Sequence, residues 1–167
     1  MLLQGTALQG LALQGSFAVV TDAPAPDVVE PLRAAGAYPI VETTWAAAAR
    51  TLSSLDPQGI VLAEPGTDRA RSALAEALAK HRDKSDGLFL PVIACTRDDG
   101  AAAFPDALAI AAKAPAERLV ARIAAALRVR ALHGAVQRRM RALASRGKEL
   151  PGLPANEPLE DANVLVA

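Results

Sequence analysis

From Ser16 onward, short apolar runs rich in β-branched residues alternate with longer Ala/Leu-rich segments. Five runs predict strands: 17–22 (FAVVTD), 38–43 (YPIVET), 59–64 (GIVLAE), 90–96 (LPVIACT) and 108–112 (LAIAA). They are apolar at consecutive positions, as strands covered by helices on both faces must be. The intervening segments predict helices with readable ends. One spans 27–35, between Pro26 and Gly36, and a second spans 44–55, from a cap at Thr43 or Thr44 to Asp56-Pro57. A third, 67–82, opens at Thr67 and Asp68 and places Ala70, Leu74, Ala77 and Leu78 on one face. The fourth, within 97–107, is cut by Gly100 and Pro105, leaving room for about two turns at most. This repeating order predicts an α/β fold with right-handed crossovers and a doubly wound parallel sheet.

From Ala116 the chain reads as one helix for about thirty residues. Leu119, Ile123, Ala126 and Leu127 form a stripe suited to packing on the sheet. Val129, Leu132, Val136, Met140 and Leu143 continue at spacings of three and four. A helix of this length exceeds what one small domain uses. Its second half is expected to extend and to pair with a second copy as a homodimer, although Gly134 and Arg139 weaken the heptad pattern. The implied organisation is a flexible leader over 1–15, a compact domain over 16–127 and an extended dimerisation helix over 128–147. A Pro-rich linker over 148–161 and the start of a following domain at 162–167 (ANVLVA), an output domain or a second domain of the same kind, complete it.

Composition narrows the function classes. Hydrophobic residues make up 51% of the chain and aromatics only 3%, so Ala, Leu and Val must build the core. A single cysteine, Cys95, excludes an internal disulfide framework and a multi-cysteine metal site, and suits a reducing cytoplasm. No run reaches the roughly 18 apolar residues of a membrane span. The zero net charge hides an asymmetry: 128–148 holds seven Lys/Arg and no acid, leaving eleven basic and eighteen acidic residues elsewhere. Such a stretch attracts phosphates, yet no aromatic is interleaved and no second helix completes a helix-turn-helix. A solvated coiled-coil face is preferred over a nucleic-acid contact.

In an open α/β sheet, ligand sites lie beyond the carboxyl ends of the strands. Thr21 and Asp22 stand at the first of these ends, Glu64 at the third, Thr96 at the fourth and Lys113 just past the fifth. The segments VVTD, VLAEP, PVIACTRDD and AIAAKAP carry them, and the chain from about Phe17 to Leu132 resembles a response-regulator receiver domain. With ERLVARIAAALRVR following, it is most similar to receivers attached to diguanylate cyclase (GGDEF) output domains. The resemblance implies a flavodoxin-like sheet of order 2-1-3-4-5 and a signalling role. It also implies an acidic pocket at Thr21 and Asp22, a phosphoacceptor position at Glu64 and switch positions at Thr96, Ile110 and Lys113.

The chain departs from that pattern at several of these positions. Thr21 replaces the first acid of the pair, so Asp22 and Glu64 are the carboxylates left to hold Mg²⁺, which prefers octahedral oxygen coordination. Glu64 replaces the aspartate acceptor, and its extra methylene moves the carboxylate outward by more than about one ångström, enough to spoil in-line attack. Ile110 stands where receivers carry the switch aromatic. Lys113-Ala114-Pro115 replaces Lys-Pro, so any cis bond moves to Ala114–Pro115. The expectation is a degenerate receiver that is not an enzyme and works by interaction and dimerisation without phosphate, with no catalytic residue, cofactor or established metal. The alternatives are a phosphoaccepting receiver using Glu64, a nucleic-acid adaptor using the basic helix, and a small-molecule sensor using the altered rim. His81 reads as a solvated helix-end cation, Cys95 as a buried apolar residue, and His133 as lacking a carboxylate partner. APAPD after the first strand is no Gly-rich phosphate loop, which argues against a nucleotide-binding enzyme.

Overall fold

The computed structural model describes residues 12–85, 88–96, 104 and 106–145. The chain divides into two compact units, residues 1–133 and residues 134–167; the sheet lies in the first. Five strands form it: β1 (Phe17–Val20), β2 (Ile40–Thr43), β3 (Gly59–Leu62), β4 (Val92–Thr96) and β5 (Leu108–Ala111). All pairs are parallel and the order is β2-β1-β3-β4-β5, a flavodoxin-like arrangement. Each strand is shorter than or equal to five residues, because the sequence runs continue into loops at their ends.

The consecutive apolar positions of the strands feed two separate cores. Phe17, Val19, Val61, Ile93, Cys95 and Ile110 face one side, and Ala18, Val20, Ile60, Leu62, Val92 and Ala94 face the other. The first side is covered by Val28, Val29 and Leu32 of α1 (Pro26–Ala34) and by Leu119, Val120, Ile123 and Ala126 of the final helix. The second is covered by Ala48 and Leu52 of α2 (Ala48–Ser54) and Leu74 of α3 (Asp68–Lys84), with Trp45 and Phe104. The final helix, α4, spans Ala116–Ser145. The stripe Leu119, Ile123, Ala126 and Leu127 packs on the sheet as its spacing predicts.

Several local expectations change. The second helix starts at Ala48 rather than Thr44, and neither threonine caps it. Thr43 completes β2 and its hydroxyl meets that of Thr51 at 2.9 Å, while Trp45 must turn inward before the helix can begin. The expected leader over 1–15 is not loose at its described end. Leu13 is buried in the first core and its N–H donates to the Ala35 carbonyl at 2.7 Å. α3 begins as expected, with the Thr67 hydroxyl accepting from the Ala70 N–H. The cis peptide is Tyr38–Pro39, and Ala114–Pro115 is trans. The shortened fourth helix falls mainly on 97–103 and 105, outside the described residues, as do the 148–161 linker and the start of a following domain at 162–167.

Candidate functional site

Parallel pairing with β1 between β2 and β3 sets the three carboxyl ends side by side. The ladder continues past the strands: the Thr21 N–H donates to the Thr43 carbonyl at 2.9 Å and the Ala63 N–H to the Val20 carbonyl at 3.0 Å. Thr21, Asp22 and Glu64 therefore converge as the sequence predicts. What they do there differs from a metal pocket.

Glu64 Oε1 accepts the backbone N–H of Asp22 in a short hydrogen bond and lies 3.5 Å from Thr21 Oγ1. Asp22 Oδ1 in turn accepts the backbone N–H of Trp45 at 2.9 Å, at the start of the loop after β2. Thr21 is buried and its hydroxyl donates to the Ala23 carbonyl. The chain of contacts runs from the end of β3 to the loop after β1 and on to the loop after β2. Charge-assisted bonds from backbone N–H groups to carboxylates are stronger than neutral ones. Each acid thus holds a neighbouring loop, and the extra methylene of Glu64 gives it the reach to do so.

This donor set is sparse for Mg²⁺. Two carboxylates stand at the rim, one oxygen of each already accepts a backbone N–H, and Thr21 supplies a hydroxyl rather than a third carboxylate. Among the described residues no group of three or more His, Cys, Asp or Glu side chains is placed to hold a metal ion.

Thr96, Ile110 and Lys113, the expected switch positions, make no hydrogen bond or ion pair with this trio. Thr96 Oγ1 donates to the Ile110 carbonyl at 3.4 Å, across the β4–β5 pair, and the side chain of Ile110 is buried in the first core. Lys113 is exposed in the turn after β5 and makes no hydrogen bond or ion pair with Asp22, Glu64 or Thr96. A groove of about 530 Å³ lies beside it, floored by Cys95, Ile110 and Leu119 and edged by Asp27 and Lys113. Burial pushes the Cys95 thiol up to about 11, so it stays protonated at neutral pH.

Three residues matter more than the sequence suggests. Trp45 is buried and packs so closely on Gly66 that a Cβ there would fall 2.6 Å from Cε2 and 2.7 Å from Cε3 of the indole. Its Nε1 has no hydrogen-bond partner among the described residues. Arg130, counted with the basic face, is instead buried and donates to the Phe89 carbonyl at 3.1 Å. Burial lowers its pKa, and the charge of Asp56 offsets part of that. His133 Nδ1 accepts the Phe89 N–H at 3.3 Å, so one turn of α4 clasps both polar groups of the residue leading into β4. A helical wheel could have found Arg130, since it follows Ile123 and Ala126 at spacings of seven and four. His81 is also corrected: its side chain is largely buried, with Nε2 3.6 Å from Asp56 Oδ1, rather than solvated.

The stripe Val129, Leu132, Val136 and Met140 is exposed, and Leu143 is half-buried. Among the described residues no helix is long and apolar enough to cross a membrane. No protein-family model, curated protein or solved structure matches the chain.

Proposed function

We propose that this chain is a degenerate receiver-like regulatory module of a cytoplasmic two-component or cyclic-di-GMP signalling protein. It keeps the scaffold, has lost phosphoryl chemistry and acts through protein interaction. The observation that carries this reading is the placement of Glu64. At the acceptor position stands a carboxylate already engaged by the Asp22 N–H, with Thr21 where a second acid is needed and Lys113 making no contact with it. In-line attack requires a carboxylate oxygen at the right reach, a cation to gather phosphate oxygens and a positioned ammonium, and Lys113 makes no contact with Glu64. The arrangement instead resembles a site held in one state by its own side chains. Signal output then depends on what binds the module, and the exposed stripe of α4 is the surface available for it, leading toward an output domain.

Incubation with acetyl phosphate and millimolar Mg²⁺, read by intact mass, tests this directly. The expected result is no phosphoryl adduct. An adduct lost in Glu64→Ala would establish the phosphoaccepting reading in its place.

A second reading, a small-molecule sensor, is favoured by the groove beside Lys113, whose apolar floor is edged by the Lys113 ammonium and by the carboxylates of Asp27 and Glu30, a mixed set that suits a small zwitterionic ligand. Thermal shift against a panel of free amino acids, lost in Lys113→Ala, would support it.

A further inference from the structure

The exposed stripe of α4 carries a charge pattern that selects its partner, and this inference rests on the interaction-module reading above. On the register of the helix itself, at about 100° per residue, Val129, Leu132, Val136, Met140 and Leu143 fall within an arc of about 80°. The stripe lies roughly 110° round from the sheet-packing line of Leu119, Ile123, Ala126 and Arg130. It is therefore a second apolar face, distinct from the one the fold consumes. Val129, Leu132, Val136 and Met140 are 56%, 68%, 58% and 42% exposed.

From Arg118 to Ser145 the helix contains arginines at 118, 122, 128, 130, 138, 139 and 141 and no Asp or Glu. With Val129, Val136 and Leu143 as a positions and Leu132 as d, the next d position is Arg139. Arg128 sits beside the seam at g. In a symmetric parallel pair of this helix, Arg139 would meet its own copy across the seam, and no carboxylate on either strand would offset the arginines flanking it. The homodimer suggested by the apolar spacing thus meets like charge at its Arg139 layer.

We infer that the stripe docks an amphipathic helix of a partner protein, with apolar residues at its seam and carboxylates at its flanks and opposite Arg139. The narrow seam argues for a helix rather than a lipid surface, because an interfacial helix needs a broad apolar face, usually with aromatics, and α4 has none. Duplex nucleic acid would leave the apolar stripe uncovered. Charge complementarity of this kind sets partner choice in helix pairs.

The test uses the 167-residue chain and a labelled three-heptad peptide with Leu at a and d, Glu at e and g, and one Glu at the layer facing Arg139. Fluorescence anisotropy is expected to show binding that weakens at least tenfold between 50 and 500 mM NaCl. Arg139→Glu should weaken it about tenfold, and a peptide with Lys at the facing layer should restore it, while circular dichroism stays unchanged. Rescue by charge exchange is not produced by a merely structural role. Several results would overturn the inference: equal binding of a Gln-flanked peptide, preference for anionic vesicles or duplex DNA, or a micromolar self-dimer that the peptide does not displace. A self-dimer would leave the interaction-module reading standing. If Leu132→Asp with Met140→Asp alters neither peptide binding nor self-association, both readings fail at this surface.

Discussion

The carboxylate of Glu64 accepts the backbone N–H of Asp22, tying the end of β3 to the loop after β1. The side chain thereby acts as a structural tie. Shortening it should be felt as lost stability rather than gained chemistry. Glu64→Asp is expected to withdraw the oxygen from the Asp22 N–H and to cost about 1 kcal/mol in urea denaturation. Glu64→Gln, which keeps an acceptor at the same reach, should cost less than Glu64→Asp.

The loop contacts continue to Trp45, whose ring lies against Gly66. Gly66→Ala forces the indole or the loop to move, with an expected loss of about 1–3 kcal/mol. Trp45 is the only tryptophan, so its emission should shift to longer wavelength as the ring gains water. An unchanged spectrum and an unchanged unfolding midpoint would show that the contact is slack.

Arg130 and Arg128 lie two residues apart on α4 and should behave differently. Arg130→Ala removes a buried guanidinium from the Phe89 carbonyl and leaves that acceptor unpaired, an expected cost of about 1–3 kcal/mol. Arg128→Ala changes an exposed side chain and should stay within about 0.5 kcal/mol. Equal effects would contradict the clasp between α4 and the segment leading into β4.

Cys95 gives a pH prediction with a definite sign. Its thiol is pushed up to about 11 by burial, above the ordinary value of 9.0. The folded chain holds this proton more tightly than the unfolded chain, so the associated stability is present below pH 9 and is lost as pH rises toward 11. The unfolding midpoint of the wild-type chain should therefore fall more steeply between pH 9 and 11 than that of Cys95→Ala. Iodoacetamide at pH 8 should modify the urea-unfolded chain well before the folded one.

The sheet was legible because β-branched runs around Val19, Ile60, Ile93 and Ile110 are apolar at successive positions and alternate with helical segments, as strands of a doubly covered parallel sheet do. Loop-level detail was not. Thr43 and Thr44 read as helix caps, but burial of Trp45 and the bond from its N–H to Asp22 delay the helix to Ala48. The convergence of Thr21, Asp22 and Glu64 followed from strand order alone. Their hydrogen bonds did not, because the acceptor of Asp22's N–H is a side chain 42 residues away and nothing local marks it. Arg130 differs: counting arginines on a long helix gives no sign of the one that faces inward, but its spacing of seven and four from Ile123 and Ala126 does.

On the function proposed above, the rim is held by its own side chains and performs no phosphoryl chemistry. Amide NMR of the chain at millimolar Mg²⁺, before and after beryllofluoride, tests it most directly at Asp22, Trp45, Glu64 and Thr96. Unchanged amide shifts at these four residues are predicted. A saturable, Mg²⁺-dependent shift at Asp22 and Glu64, propagating to Thr96, would contradict it.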